Sequence, residues 1–488
     1  MKLAVVVQRY GLAITGGAEL HARYLAQHLA RHADVEVLTT CAADYVTWRN
    51  ELTPGVETVN GVRVRRFRVR HERNPRVFGR LSQRVFDQPH SFNDELDWLD
   101  AEGPTAPALI DYLARNLNTY DYCIFFSYRY YHAYHGVRAT ASRAILVPTA
   151  ERDAAIGLTM FAPIFRGVRA LMYNSHEERA LIQAVSDNHG VPGLVVGIGS
   201  DVPQNPQPDR FRHKYNILGP FAMYVGRIDE NKGCPELLDF FQSYLQDQAG
   251  KLSLILIGHS LLSIPDHARI RHLGFLDDAD KFDALAAADV LIMPSYLESL
   301  SMVALEAWAL GRPVVANGKC DVLKGQCIRS NAGLYYETKT EFLETLRAVE
   351  QNQWLRAALG NNGRRFFRGN YDWPVIEQKY LDMFERLLRE SASRPLEPLP
   401  GRFERRRRNV PAARTVLMDL PKGPSLGDGL GISALSSGHH HTASSAHEGS
   451  RTSPLRDDSR ADRTAERGDS PYARAGNGRW RRSGSSPQ

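Results

Sequence analysis

The chain uses one unit twice: a short apolar strand, a loop carrying glycine, then a helix. Residues 3–7 are continuously apolar and partly β-branched, and Gly11, Gly16 and Gly17 follow. From residue 18 to 33 the apolar side chains Leu20, Tyr24, Leu25 and Leu29 recur at helical spacing, and residues 35–38 read as another strand. Strand, glycine loop, helix, strand is the opening of a parallel α/β layer. Similar strands are expected at 122–126, 144–147, 170–173 and 194–196, with a helix at 177–185 among the stretches between them. Residues 201–209 then hold three prolines and no helical period, which marks a linker. A second series follows, with strands expected at 222–225, 254–257, 290–293 and 313–316 and helices near 235–246, 281–287 and 302–310. The expected organisation is one α/β domain over 1–200, the linker at 201–209, a second α/β domain over 210–374 and a closing helix at 375–391. Two such layers leave a cleft outside the carboxyl ends of their strands, where open α/β sheets bind ligands.

Beyond about residue 392 the chain turns to Ser, Gly, Arg, Pro and Asp, which cannot bury enough surface to offset chain entropy, so disorder is expected over 392–488. The formal charge of +6 belongs to this tail. Residues 401–488 carry 16 Lys+Arg against 9 Asp+Glu, a net of +7, which leaves the first 400 residues at −1. A near-neutral body gives no reason to expect a nucleic-acid partner. Five scattered cysteines form no CxxC pair and read as buried thiols in a reducing compartment. No run approaches the roughly 20 apolar residues that span a bilayer, and residues 1–7 are too short for a signal peptide core. The expectation is a cytoplasmic protein, with any membrane contact peripheral, at the inner face.

Two segments carry chemistry. In the first, Glu298-Ser-Leu-Ser-Met-Val-Ala-Leu-Glu306 leads into Ala-Trp-Ala-Leu-Gly311-Arg-Pro-Val-Val. Ser299 or Ser301 can cap the helix, Gly311 ends it, and Pro313 opens the next strand. The two carboxylates stand eight residues apart, a rise of roughly 12 Å along a helix. The backbone N–H groups between them lie at the positive end of a helix dipole and suit a phosphate. A ligand with hydroxyls at both ends and a diphosphate between matches this layout. In the second segment, Gly226-Arg227-Ile-Asp229-Glu-Asn-Lys232-Gly233 leaves the first strand of the second domain. Arg227 and Lys232 there can neutralise a departing diphosphate as charge develops on it.

Glu-x7-Glu before a helix ending Gly-x-Pro-Val-Val, preceded by Gly-Arg-x4-Lys-Gly, resembles the family 4 retaining glycosyltransferases. Gly16-Gly17-Ala18-Glu19, Leu256-Ile257-Gly258, Leu273-Gly274-Phe275 and Ala288-Asp289-Val290 are further matches, and the resemblance runs from about residue 1 to 388. It implies a GT-B fold: two Rossmann-like domains facing each other across a cleft. It also implies transfer of a sugar from a nucleotide-diphosphate sugar, with retention and without metal or other cofactor. The partners implied are that nucleotide sugar and a glycan, lipid-linked or small-molecule acceptor. By the same resemblance Arg227 and Lys232 grip the diphosphate, Glu306 holds the ribose, and Glu298 contacts the sugar. Backbone amides near Leu300 and Ser301, with Gly274, serve donor binding, and Gly17 lets the first loop come close. The family commonly has a histidine in the loop after the strand at 144–147; this chain has Glu151. His132 and His135 follow the preceding strand and are candidates for the acceptor side.

Plainer readings stand beside these. The alternative function is a catalytically weak GT-B nucleotide-binding protein with a regulatory role, and a third reading puts the main role in the tail as a tether. Gly197-Ile-Gly199 lacks the third glycine of a dinucleotide fingerprint, and Pro203 and Pro206 bar a following helix. Arg63, Arg65, Arg66, Arg68, Arg70, Arg73, Arg76, Arg80 and Arg84 read as a solvated strand edge and loop, or as a patch for anionic head groups. Arg405–Arg408 reads as an incidental basic linker, or as a contact for nucleic acid or membrane, and His439–His441 as no metal site.

Overall fold

The structure, a computed structural model, describes residues 1–14, 16–246, 250–391 and 395–424. The strands of the first lobe are β1 (Lys2–Val6), β2 (Asp34–Thr40), β3 (Gly55–Val59), β4 (Val62–Phe67), β5 (His90–Ser91), β6 (Tyr122–Phe126), β7 (Ala144–Val147), β8 (Ala170–Tyr173) and β9 (Gly193–Val195). The second lobe follows with β10 (Phe221–Val225), β11 (Ser253–Ile257), β12 (Ile270–His272), β13 (Val290–Met293), β14 (Val314–Asn317) and β15 (Gly333–Tyr336). A last short strand, β16 (Asn409–Val410), pairs with β5.

The first sheet runs β3-β4-β2-β1-β6-β7-β8-β9, parallel except for β3, and the second runs β12-β11-β10-β13-β14-β15, parallel throughout. Each order reverses at a central pair, β1/β6 and β10/β13. The loops leaving those strands on either side of the reversal open the crevice where a ligand can sit. Two sequence motifs lie there: the Gly16-Gly17 loop follows β1, and the Arg227–Lys232 loop follows β10. The lobes share one apolar core, in which Trp373, Ile376 and Tyr380 of the helix Trp373–Arg389 pack with first-lobe residues. That helix crosses back from the second lobe: Phe384 stacks on Tyr122 at 5.5 Å, and Trp373 stacks on His28 at 3.7 Å. These are the two α/β domains of a GT-B fold.

Three expectations are corrected. The basic stretch at 63–84 is not one solvated edge. In β4, Val62, Val64 and Arg66 point to the buried face, while Arg63 and Arg65 reach Glu36 and Arg66 reaches Glu57. The remainder is the helix Pro75–Asp87, capped by Asn74, with Arg76, Arg80 and Arg84 exposed. Secondly, the linker 201–209 is shorter than expected, because Pro208 sits in the first turn of a helix, Pro208–Lys214, where its missing N–H costs nothing. Thirdly, disorder from residue 392 does not hold for 395–424. Val410, Ala413 and Leu420 are buried against the first lobe, so a few apolar anchors suffice where the segment has a surface to lie on. Residues 425–488, with His439–His441, lie outside the described residues. All five cysteines are free and buried, and among the described residues no helix is long and apolar enough to cross a membrane.

Candidate active site

The loop after β10 is fixed by a carboxylate. Asp229, 6% exposed, takes the Arg227 Nε–H on one oxygen and the Lys232 backbone N–H on the other at 2.9 Å. Tyr224 donates its hydroxyl to the Arg227 carbonyl at 2.8 Å. Gly233 closes the loop at φ +69°, and a Cβ there would lie 2.1 Å from the Pro294 carbonyl oxygen. Only glycine lets this loop lie against the end of β13. The contact carries Lys232 to the start of the Glu298 segment, where its Nζ meets Glu298 Oε1 at 2.7 Å. Burial alone would lower the Lys232 ammonium, but Glu298 and Glu151 outweigh it and hold the pKa above its usual value.

Ser301 caps the helix Met302–Ala309 by accepting the Ala304 N–H at 3.2 Å, and Leu300 beside it is buried. Ser299 instead accepts from Asn174 Nδ2 of the first lobe at 3.4 Å. Glu306, on the second turn, is 2% exposed. Its Oε1 receives the Ser200 hydroxyl at 2.9 Å and Lys281 Nζ at 3.2 Å, while Oε2 has no partner. Burial raises its pKa, and Lys281 and Ser200 pull it back only in part. A buried carboxylate oxygen without a donor is costly in a finished structure and is ready for a ligand hydroxyl. Gly274 sits at φ +72° in the loop after β12 with open space beside it.

From the first lobe, the loop after β7 brings Glu151 opposite this pair. The Ala150 N–H binds the buried Glu178 carboxylate at 2.6 Å. Asp153 holds Arg129 at 2.6 Å, and Arg129 also reaches Glu102 at 3.0 Å. Glu151 is therefore held between two fixed points. Burial, and next the Glu298 carboxylate, push its own carboxyl up to about 7, with Lys232 opposing. A cavity of about 240 Å³ runs between the lobes here, lined by Ala150, Glu178, Tyr296, Glu298 and Cys320 among others. Gly17 opens the helix Gly17–Leu29 with nothing within 4 Å of a Cβ position. Gly16, its N-cap, lies against the buried Arg9–Glu19 pair.

A family model described as glycosyl transferases group 1 matches residues 207–366, the stretch that holds both the 226–233 and the 298–306 segments. The phosphatidyl-myo-inositol mannosyltransferase of Mycobacterium tuberculosis is 27% identical over 265 residues, 49% of this chain and 67% of the relative. An N,N'-diacetylbacillosaminyl-diphospho-undecaprenol alpha-1,3-N-acetylgalactosaminyltransferase of Campylobacter jejuni is 25% identical over 35% of this chain and 46% of its own length. Among solved structures, Anabaena Alr3699/HepE in complex with UDP and glucose superposes with a TM-score of 0.57 at 18% identity, covering 79% of this chain and all of that one. The sucrose-phosphate synthase of Thermosynechococcus elongatus does so with the same TM-score and identity, covering 79% and 99%. The chain has the GT-B fold, and its second lobe is similar to glycosyltransferases.

The structure brings Lys232 against Glu298, with Glu151 near enough for its charge to interact with theirs, Arg227 on the same loop, and Ser301 and Glu306 at the start and on the second turn of the adjoining helix. His132 is not brought there. It is fully buried, with Nε2 against the Phe126 carbonyl at 2.9 Å, and burial lowers its pKa to about 4. His135 lies against Tyr131 and Tyr134 at 4.3 and 5.1 Å, and does not line the interlobe cavity. Both histidines follow β6 on a helix, Tyr131–Thr140, whose buried face turns His132 into the lobe and leaves His135 half-buried. Sequence reasoning missed Asp229, Lys281 and Ser200. Asp229 stood inside a quoted motif without a role. Lys281 and Ser200 come from segments 81 positions apart and meet only at Glu306.

Proposed function

We propose that this protein moves a sugar from a nucleoside-diphosphate sugar to an acceptor hydroxyl, with retention at the anomeric carbon and without a metal ion, in the manner of the family 4 enzymes it resembles. The observation that carries the reading is the meeting of Lys232 and Glu298 at 2.7 Å directly opposite Glu151, beside a helix start capped by Ser301. Lys232 spends one ammonium hydrogen on Glu298 and keeps two for diphosphate oxygens. Arg227 is tied through Nε alone, and its half-exposed guanidinium offers the rest. The helix start supplies the remaining positive potential. Glu306 presents its unpartnered Oε2 to ribose, and Glu298 accepts from a sugar hydroxyl.

In the step itself the acceptor oxygen bonds to the anomeric carbon from the face the diphosphate leaves. The carbon–oxygen bond to phosphate breaks with its electron pair, and the acceptor proton passes to the departing phosphate oxygen. Arg227 and Lys232 stabilise the charge that appears there, so no metal is called for. Glu151, protonated near neutrality, can donate to a sugar hydroxyl where an imidazole would otherwise stand. A glycan or lipid-linked acceptor fits the relatives named above. The exposed arginines 76, 80 and 84 on one helix support a peripheral contact with an anionic membrane face.

The deciding experiment is a donor panel of UDP-, GDP- and ADP-sugars scored for nucleotide release, with thermal shift by the matching diphosphate. One nucleotide should raise Tm, and Glu306→Ala and Lys232→Ala should each abolish that rise. No shift with any of the three at millimolar concentration ends the proposal. The anomeric configuration of the product by NMR tests retention, and unchanged turnover in EDTA tests metal independence. Binding without turnover in the wild type, with turnover gained in Glu151→His, would favour the weak nucleotide-binding reading instead.

A further inference from the structure

Residues 395–424 lie outside everything the proposed chemistry uses, yet they are fastened to the first lobe at several points. β16 adds to β5, and Val410 and Ala413 are 3% and 0% exposed in the first-lobe core. Gly157 comes so near the segment that a Cβ there would lie 2.2 Å from the Ala413 carbonyl oxygen. Arg414 pairs with Asp87 at 2.5 Å. The end of the segment is then aimed by Arg152, the neighbour of Glu151, whose guanidinium donates to the carbonyls of Leu420 at 2.7 Å, Pro421 at 2.5 Å and Leu417 at 3.3 Å. The result is that Pro421, Lys422, Gly423 and Pro424 form one side of the interlobe cavity whose opposite sides include Glu298 and Cys320.

We propose that residues 395–424 are a strap that completes the transfer site, holding 421–424 as the outer wall of the cavity beside Glu298, so that it limits which acceptors reach the sugar and keeps bulk water from it. The anchors are all on the first lobe, while Glu298 and Cys320 belong to the second. The strap therefore closes the cavity only when the lobes are together. Prolines at both 421 and 424 stiffen the wall by fixing φ. The guanidinium of Arg152 is spent on strap carbonyls at 2.5 and 2.7 Å, so its place next to Glu151 serves to seat the wall. Water exclusion matters because a sugar donor has a competing fate. A water oxygen can form the new bond to the anomeric carbon, the diphosphate departing with its electron pair and the water proton passing to solvent. A closed site suppresses that route.

This inference rests on the proposed transfer chemistry for its consequence, and its geometry can be tested without it. Cys320 lines the cavity at 2% exposure, and the other four cysteines are buried elsewhere. N-ethylmaleimide labelling of Cys320, followed by peptide mass mapping, reads whether the wall is present. Truncation after residue 394 and, in the full chain, Arg152→Ala should raise the Cys320 labelling rate by about tenfold or more as the thiol becomes reachable, with Cys41, Cys123, Cys234 and Cys327 unchanged. Truncation after residue 424 should leave it as in the full chain. With whichever nucleotide sugar the donor panel selects, the same two strap variants should raise the ratio of donor hydrolysis to transfer by about tenfold, with the nucleotide-induced Tm shift retained. Cys320 labelling within twofold of the full chain in a folded strap variant overturns the proposal. So does a hydrolysis-to-transfer ratio that stays constant while Cys320 opens. If the truncated chain fails to fold, Arg152→Ala decides alone. Loss of the Tm shift in the unmodified protein would sink the transfer reading but not the labelling result.

Discussion

The two lobes are built on the same strand-loop-helix plan and use it differently. In the second lobe the functional side chains stand in two contiguous segments, 226–233 and 298–306, and each is fixed by short-range contacts: Asp229 to Arg227 and Lys232, Ser301 to Ala304. In the first lobe the side chain that faces them, Glu151, is held by Glu178, Asp153, Arg129 and Glu102, drawn from positions spread over 77 residues. The family model likewise covers the second lobe and not the first. The difference teaches that the second lobe's half of the site is a compact device that one stretch of sequence can encode. The first lobe's half is an assembly that depends on long-range packing, and on the proposed strap from beyond the second lobe.

The comparison breaks most visibly if the lobes do not divide the labour. Lys232→Ala should abolish the nucleotide-induced Tm shift and cut turnover by about 100- to 1,000-fold, the range for removing one group that stabilises a developing charge. Glu151→Gln removes the titrating proton with little change of shape, and should leave the nucleotide shift at neutral pH close to wild type while turnover falls by about tenfold. Equal loss of nucleotide binding in both variants would mean that the first lobe grips the diphosphate too.

The next effect separates the lobes by pH. The Glu151 carboxyl, pushed up to about 7 by burial and by Glu298, keeps a proton that the unfolded chain releases near pH 4.5. Between those values the folded state binds more protons than the unfolded one, so this group's contribution to stability falls as pH rises and levels off above 7. Ionisation also sets a second carboxylate beside Glu298, facing the diphosphate. The nucleotide-induced shift should therefore be larger at pH 6 than at pH 8, and flat in Glu151→Gln. The same slope in the variant would assign the titration to another group.

How much of this was legible beforehand follows the same division. Lys232, Glu298, Ser301 and Glu306 could be placed because cap, helix period and strand end fix their spacing in one stretch of chain. Glu151 could be found only as the occupant of a position after β7; its meeting with Lys232 and Glu298 needs both lobes. The helix Pro75–Asp87 was hidden inside what looked like a run of arginines, although Asn74-Pro75 is a sound helix start. The strap was read as part of a polar tail because its four buried residues, Val410, Ala412, Ala413 and Leu420, are too few to register in composition. His132 was a candidate for the acceptor side because it follows a strand end. The helix it stands on turns it inward, and one-dimensional spacing does not show that.

A smaller effect probes the first glycine loop. A Cβ on Gly16 would lie 2.3 Å from Glu19 Oε2 and 3.1 Å from Arg9 Nη2, inside a pair that meets at 2.6 Å and is almost wholly buried. Gly16→Ala should therefore cost about 2 kcal/mol by disturbing a buried charge pair. Gly17→Ala, with open space around its Cβ and a helical backbone, should leave stability unchanged or slightly raised, and act on turnover instead. Chemical denaturation of the two variants checks the order, and a reversed order would show that the loop's glycines exchange roles.

The smallest effect lies at the hinge, where neither lobe owns the contact. Glu377, on the helix that crosses back, accepts from His28 Nδ1 at 2.6 Å and from His32 Nε2 at 2.7 Å, and the other His28 nitrogen meets Asp201 of the linker at 3.1 Å. Burial would raise the Glu377 carboxyl, but His32 and His28 outweigh it and hold it below its usual value. A depressed carboxyl gives stability that is present above its unfolded pKa and lost as pH falls through its folded one. Glu377→Gln should therefore lower stability by about 0.5–1 kcal/mol at neutral pH, as for other partly exposed ion pairs, and by nothing measurable near pH 3. Because the contact ties the first lobe's opening helix to the second lobe's returning one, its loss should loosen the lobes together. A shift of the same size at both pH values would mean that the side chain acts through packing, and that the hinge, unlike the site it serves, is not held by charge.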